Sequence, residues 1–150
     1  GVMPRIMTAA RRLNDGMGDY VANQVIKLMN KKGVLVKDSK ILVLGFTFKE
    51  NCADIRNTQV IDIISTLKEY TNDITVFDPY VDVEKIEKVF SFKILSNNIQ
   101  HLEKEFDVVI LAVSHSQFVG LNPRKFLRIS NGVVYDVKSF FAKQLIDGRL

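Results

Sequence analysis

A chain of 150 residues, 47% hydrophobic and 25% charged, has the composition of a globular domain with a sizeable core. Its net charge of +4 suits an acidic small ligand, but without a basic tail or a ladder of basic and aromatic residues it argues against a nucleic-acid partner. The single cysteine, Cys52, excludes a disulfide within the chain and is typical of a reducing compartment, so we expect a cytoplasmic protein. The longest apolar run, 108–113, is too short to cross a membrane.

The chain opens with a predicted long helix, from about Pro4 to Lys31. Proline suits the start of a helix and Gly33 its end. Apolar residues recur at three- and four-residue spacing along the segment: Ile6, Ala9, Ala10, Leu13, Met17, Tyr20, Val21, Val25, Leu28 and Met29. Such a helix is about 40 Å long. It either covers a sheet in the ordinary way or spans two domains or a subunit interface.

A buried strand at Ile41–Leu44 is followed by a charged loop. The loop carries Lys49 and Arg56, and Asn57 is placed to cap a helix that starts at Thr58. Ligands of open α/β sheets bind outside the carboxyl ends of the strands, and helix N-termini favour anions. The pattern predicts a site for phosphate or another anion; the alternative is that both cations are merely solvated. The loop contains neither G-x-G-x-x-G nor G-x-x-x-x-G-K-[ST].

Strands and helices alternate along the rest of the chain. We predict strands at 74–77, 107–113 and 132–136, a short edge strand at 92–94, and helices at 58–70, 83–90, 99–106, 123–129 and 140–146. The alternation predicts an α/β fold, a Rossmann-like doubly wound parallel sheet preceded by a long α-helix. The loops after the first and last strands then share one crevice, which brings Lys49 and Lys138 toward the same ligand.

Two further polar residues lie at predicted strand ends. Asp78, before Pro79, is either an acid that binds a ribose or a turn residue, and without a glycine fingerprint the turn is favoured. His115 lies just past the 107–113 strand. It is either a proton shuttle or a structural or exposed residue. The second alternative is favoured, because no Asp or Ser pattern supports the first.

The segment 45–57, G-F-T-F-K-E-N-C-A-D-I-R-N, resembles the motif G-x-x-F-K-x-x-x-x-D-x-R of the UDP-glucose/GDP-mannose dehydrogenase family, in its C-terminal, UDP-binding domain. F-K-E-N-C is most similar to bacterial enzymes that oxidise UDP-N-acetylhexosamines. A-R-R-L-N-D-G-M, at 10–17, resembles the central helix that links the two Rossmann-like domains of the family and forms its dimer core. The resemblance implies a central linker and dimerisation helix at 1–33 and a UDP-sugar-binding Rossmann-like domain at 34–150.

The family oxidises the C6 alcohol of a UDP-sugar to a carboxylate, with two NAD⁺ and a nucleophilic cysteine. By motif position, the resemblance implies that Phe48 and Lys49 contact the UDP-sugar. It implies that Arg56 reaches the NAD pyrophosphate and that Asp54 orients the loop. D-V-K at 136–138 resembles the D-x-[RK] of the family, which implies a substrate contact by Lys138, with Ser139 as the alternative.

The catalytic cysteine of the family belongs to a G-G-x-C-[IL]-P-x-D segment that does not occur in this chain, and the dinucleotide fingerprint is also missing. We therefore expect the C-terminal fragment of an NAD-dependent nucleotide-sugar 6-dehydrogenase for polysaccharide biosynthesis, inactive alone, with NAD held mainly by an N-terminal domain. Cys52 is not expected to be the nucleophile, and we assign no catalytic residue or metal ligand. We expect a homodimer through the N-terminal helix. The alternatives are a stand-alone nucleotide-binding or regulatory domain and a dimerisation module.

Overall fold

A parallel sheet forms the centre of the structure, a computed structural model that describes the backbone of residues 2–150 and the side chains of residues 16–150. Its strands are β1 (Ile41–Leu44), β2 (Ile74–Phe77), β3 (Lys93–Leu95), β4 (Val108–Leu111), β5 (Val133–Asp136) and β6 (Gly148–Arg149). Their order is β3-β2-β1-β4-β5-β6, and every neighbouring pair is parallel. Ile41 of β1 lies opposite Ile74 on one side and Val108 on the other. The predicted doubly wound sheet is confirmed; β6 was not predicted, and β3 lies one residue later than expected.

The central strands are apolar because both faces of the sheet are covered, as is usual for parallel sheets. Side chains alternate between the two faces. Ile41 and Val43 of β1 enter the core on the side of the long helix, and Leu42 and Leu44 enter the core on the other side. The second core is built largely from aromatic and leucine side chains of the connecting turns, among them Phe106, Phe118 and Phe126.

The helices are α1 (Val2–Lys32), α2 (Val60–Leu67) and α3 (Val83–Val89). Val25 and Met29 of α1 are fully buried against the sheet. The helix ends as predicted at Gly33, which has φ of 75°, with Val34 N–H donating to Met29 O at 2.8 Å. This arrangement is the Schellman motif. The predicted long helix is therefore confirmed, although the side chains of the apolar stripe before residue 16 lie outside the described residues. No helix of the described part is long and apolar enough to cross a membrane.

The start of α2 differs from the prediction. Asn57 does not cap the helix: its backbone is left-handed, with φ of 60°, and Gln59 is the residue before the first turn. The Thr58 hydroxyl accepts a hydrogen bond from Val60 N–H at 3.2 Å instead. The prediction was wrong because asparagine is favoured both as a helix cap and in left-handed turns, and here it takes the second role.

The helices predicted at 99–106, 123–129 and 140–146 are only short 3₁₀ turns, at Ile99–Leu102, Pro123–Phe126 and Lys143–Leu145. After the first turn, Lys104 adopts φ of 61° and its N–H donates to Lys125 O at 2.9 Å. Phe106 N–H donates to Phe126 O at 2.9 Å. Backbone groups that would have continued one helix therefore bond to the neighbouring turn, and the apolar spacing alone did not reveal this.

Asp147 ties the end of α1 to the far side of the sheet. Its carboxylate lies 2.7 Å from Lys32 Nζ and 3.1 Å from Arg124 Nη1, and it accepts a hydrogen bond from Val134 N–H at 2.8 Å. Burial raises the pKa of Asp147, but the hydrogen bonds from Lys32, Val134 N–H and Arg124 outweigh burial and leave the pKa below its ordinary value. The ionised form is therefore part of the folded structure.

The Asp147→Asn variant should lose about 1–3 kcal/mol of the free energy of unfolding, because two charge-assisted hydrogen bonds are weakened. The folded pKa lies below the unfolded value of about 3.9, so this stability is present above about pH 4 and is lost as the pH falls through the folded pKa. Urea unfolding of both proteins should show a smaller difference at about pH 3 than at about pH 7. Glu87→Gln, at an exposed position of α3, is the control, and an equal loss there would contradict the prediction.

Candidate functional site

A cavity of about 270 Å³ lies outside the carboxyl ends of β1, β4 and β5. Its wall comes from the loops after these strands, the start of α2, the middle of α1 and the C-terminal residue: Thr47, Phe48, Ala112, Val113, Val137, Lys138, Asn57, Thr58, Gln59, Val60, Ile63, Met17, Gly18, Val21 and Leu150. From β1 the chain crosses to β2 on one side, and from β4 it crosses to β5 on the other. Ligands of open α/β sheets bind in the crevice at this switch point, so the cavity is the primary candidate site.

Gly45 lets the ends of β1 and β4 approach closely below the cavity. Its φ is 95°, a conformation that side chains disfavour. A Cβ atom at this position would lie 2.5 Å from Val113 Cβ and 2.7 Å from Val113 N. The glycine after β1 is therefore needed for the close contact between the loop after β1 and the loop after β4.

The structure brings two of the four predicted site residues to the cavity. Phe48, a residue that is 53% exposed, and Lys138, which is exposed, both lie in its wall. Lys49 is exposed on the same loop as Phe48 but is not among the residues that line the cavity. Arg56 is also exposed and outside the lining.

Arg56 is paired with Asp54 in a side-chain fork. Its Nε and Nη2 donate to the carboxylate of Asp54 at 3.0 Å and 2.9 Å, and its backbone N–H donates to Asp54 Oδ1 at 2.9 Å. These hydrogen bonds from Arg56 lower the pKa of Asp54 to about 2. The backbone carbonyl of Asp54 accepts a hydrogen bond from Phe48 N–H at 2.6 Å, so Asp54 connects the two parts of the loop.

Asp78 is fully buried at the carboxyl end of β2 and gathers hydrogen bonds from several loops. Its Oδ2 accepts from Phe46 N–H at 2.7 Å, from Thr47 N–H at 3.1 Å and from His115 Nε2 at 2.8 Å, and its Oδ1 accepts from Tyr80 N–H at 2.8 Å. Burial raises the pKa of Asp78, but the hydrogen bonds from His115 and the backbone outweigh burial and hold the pKa below its ordinary value. The carboxylate thus holds together the loops after β1, β2 and β4.

Asp136 is at the end of β5, as Asp78 is at the end of β2. It is fully buried, and its carboxyl group accepts from Lys138 N–H at 2.8 Å and from the N–H groups of Phe140 and Phe141 at 2.7 Å. Ser139 between them is left-handed, with φ of 53°. These bonds fold the segment after β5 into a tight turn, which is why no helix starts at Phe140, and they position the backbone of Lys138 at the cavity.

The interpretation of Asp78 as a turn residue is correct for its bond to Tyr80 N–H but missed its larger role. His115 was expected to be structural or exposed, and it is structural: it is fully buried and bonded to Asp78. The signal in the sequence was their common place after parallel strands, whose carboxyl ends meet at one edge of the sheet. Without the order of the strands, that signal does not identify partners.

Residues 42–143 match the model of the UDP-glucose/GDP-mannose dehydrogenase family, UDP binding domain. The chain belongs to this family. Over 100% of its length it is 41% identical to a UDP-N-acetyl-D-glucosamine 6-dehydrogenase of Salmonella typhi and 38% identical to one of Pseudomonas aeruginosa, and it spans 35% of each of these proteins. An NDP-N-acetyl-D-galactosaminuronic acid dehydrogenase of Methanosarcina mazei matches 94% of the chain with a TM-score of 0.80 at 21% identity, and the match covers 30% of that protein.

These similarities confirm the family that the motifs at 45–57 and 136–138 indicated. The relatives at 41% and 38% identity are dehydrogenases, and the matching domain model is that of UDP binding. Because the chain spans only about a third of their length, the similarity identifies the domain but not the reaction of the whole protein.

Cys52 is free and half-buried within the loop, and its Sγ accepts a weak hydrogen bond from Asp54 N–H at 3.5 Å. In residues 16–150 no cluster of His, Cys, Asp or Glu side chains is arranged to hold a metal ion.

The Gly45→Ala variant should be destabilised by about 2–4 kcal/mol, because it adds overlap with Val113 to the strain of a positive φ. Gly120→Ala is the matched control: its φ is 79°, but a Cβ atom there meets nothing within 4 Å, so it should lose only about 1 kcal/mol. Denaturant unfolding of the two variants measures the difference. Similar losses in both would mean that Val113 yields and that the close approach is not a constraint.

Proposed function

We propose that the chain is the UDP-sugar-binding part of an NAD-dependent nucleotide-sugar 6-dehydrogenase. The observation that carries the proposal is the cavity at the switch point, with Phe48 and Lys138 in its wall, in a chain that matches a UDP-binding domain. A UDP-N-acetylhexosamine is the proposed substrate, since the relatives at 41% and 38% identity are named for one. Oxidation of its C6 alcohol to a carboxylate would supply cytoplasmic polysaccharide biosynthesis.

The groups around the cavity match the parts of UDP. The exposed ring of Phe48 offers an apolar face for the uracil ring. The ammonium groups of Lys138 and Lys49 are point charges for the diphosphate, and the start of α2 at the same cavity favours anions. The cavity of about 270 Å³ is slightly smaller than ordinary ligand pockets, which have roughly 300–1,000 Å³. This size fits a domain that contributes part of a binding site.

We propose that Arg56 faces the cofactor rather than the UDP-sugar. Its side chain is 85% exposed, and its guanidinium is held in an extended fork by Asp54 outside the cavity lining. A rigid guanidinium on the surface suits a pyrophosphate group that approaches from another domain. NAD⁺, which would accept the hydride from the sugar, would be held mainly by that N-terminal domain.

The two halves of α1 have different proposed roles. Val21, Val25 and Met29 in its second half belong to the core of the sheet domain. The first half, within the proposed linker and dimerisation segment 1–33, would connect the sheet domain to the rest of the enzyme and form the homodimer.

The Lys138→Ala variant should bind UDP about 10- to 150-fold more weakly than the unchanged chain, because it loses a charge-assisted contact that typically contributes ~1.5–3 kcal/mol. Lys49→Ala should also weaken binding, and Arg56→Ala should leave it nearly unchanged. Calorimetric titration of UDP into each variant measures these effects. Lys37→Ala is the matched control for loss of charge, since Lys37 is exposed and precedes β1 at the opposite end of the sheet.

Equal losses in Arg56→Ala and the two lysine variants would contradict the division between substrate and cofactor residues. Unchanged affinity in both lysine variants would remove the loops after β1 and β5 from the UDP site. A loss in Lys37→Ala as large as in Lys138→Ala would mean that binding follows net charge rather than a specific contact.

The chain alone should not reduce NAD⁺ with any UDP-sugar, because it contains no G-G-x-C segment to supply the nucleophile and no dinucleotide fingerprint. Absorbance of NADH during incubation of highly purified protein with NAD⁺ and UDP-N-acetylglucosamine is the measurement. Turnover that increases in proportion to the protein concentration would overturn this assignment of roles.

A further inference from the structure

The buried imidazole of His115 connects the two ends of the loop 46–51, which carries Phe48 and Lys49. At the start of the loop, its Nε2 lies 2.8 Å from Asp78 Oδ2, which also accepts the N–H groups of the first two loop residues. At the end of the loop, its Nδ1 accepts a hydrogen bond from Asn51 N–H at 2.9 Å. One ring therefore bridges both ends of the segment.

The donors around the ring determine its tautomer. A backbone N–H can only donate, so the Nδ1 that faces Asn51 N–H carries no proton. The proton of the neutral ring is then on Nε2, where it points at the carboxylate of Asp78. Both nitrogens have a partner of the correct kind, so the ring fits this place in one orientation only.

The end of the loop depends on this contact. Asn51 is left-handed, with φ of 58°, a conformation that asparagine adopts more readily than most residues with a side chain. Its side-chain oxygen accepts a hydrogen bond from Ser116 N–H at 2.8 Å. The backbone and the side chain of Asn51 are thus both bonded to the segment that begins at His115, and hydrogen bonds hold both ends of the loop 46–51.

We propose that His115 is a positioning residue that fixes the loop 46–51 and so sets the affinity of the site for the uridine diphosphate group. The inference rests on the proposed function and adds to it a residue that the family motif does not include. His115 is fully buried and does not line the cavity, so it acts through Phe48 and Lys49 and not by contact with the ligand. Proton transfer to a substrate is excluded for the same reason.

Two substitutions separate the bond at Nδ1 from the contacts of Nε2, which lies 3.2 Å from Thr47 Oγ1 as well as 2.8 Å from Asp78 Oδ2. In His115→Asn, the amide oxygen can take the place of Nδ1 and accept from Asn51 N–H, while the contacts with Asp78 and Thr47 are lost. In His115→Gln, the longer amide can reach Asp78 as a donor, while Asn51 N–H loses its acceptor. Both variants lose the ring contacts with Tyr80 and Phe118, at 4.8 Å and 5.7 Å between centroids, so they should be destabilised to a similar extent.

UDP affinity should then distinguish the two variants. His115→Gln should weaken UDP binding about 3- to 10-fold, the effect of one lost hydrogen bond, and His115→Asn should weaken it less than about 2-fold. Calorimetry with UDP on the 150-residue chain measures the affinity, and thermal unfolding confirms that both variants fold. Amide exchange of Asn51 without ligand is the second readout, and it should be faster in the Gln variant only.

Equal UDP affinity in the two variants, or equal exchange of Asn51, would overturn the positioning role and leave His115 as a residue of general stability. If the unchanged chain fails to bind UDP, the proposed function fails and with it the effect on affinity. The exchange of Asn51 in the two variants then still decides whether His115 positions the loop.

Discussion

The candidate site depends on two buried carboxyl groups at the ends of parallel strands. Where a strand ends, the backbone N–H groups of the next residues lose their partners in the sheet, and buried N–H groups must find other acceptors. Asp78, at the end of β2, is the acceptor for N–H groups after β1 and β2. Asp136, at the end of β5, is the acceptor for N–H groups after β5. A carboxyl group has two oxygens that each accept more than one bond, so a single side chain can organise a whole loop.

This arrangement separates the groups that hold the loops from the groups that meet solvent. The carboxyl groups of Asp78 and Asp136 are fully buried and surrounded by donors. Other side chains of the same loops are exposed, among them the cations Lys49 and Lys138 and the anion Glu50. The two lysines therefore meet solvent although carboxyl groups lie beneath the loops, and they can change without disturbing the hydrogen bonds that shape the loops.

The sequence predicted the fold better than it predicted the site. Continuous apolar runs such as Ile41–Leu44 identify buried parallel strands, and their alternation with helices is sufficient for the topology. The pairing of Asp78 with His115 could not be predicted from the sequence. Asp78 follows β2 and His115 follows β4, which lie on either side of β1, so only the strand order brings the two residues together. The short turns after β3, β4 and β5 were predicted as helices, because apolar spacing does not reveal where the backbone hydrogen bonds go.

The fork between Arg56 and Asp54 fits the proposed role of Arg56, in which a second domain would close over it. In the chain alone the fork is exposed to solvent, where water screens the attraction between the two charges and an ion pair contributes little to stability. Its effect there is geometric: it holds the guanidinium extended and Asp54 ionised. Closure over a pyrophosphate would remove water from the guanidinium and strengthen its attraction to that anion. Arg56 can share its donors between Asp54 and the anion, because the guanidinium has five N–H groups.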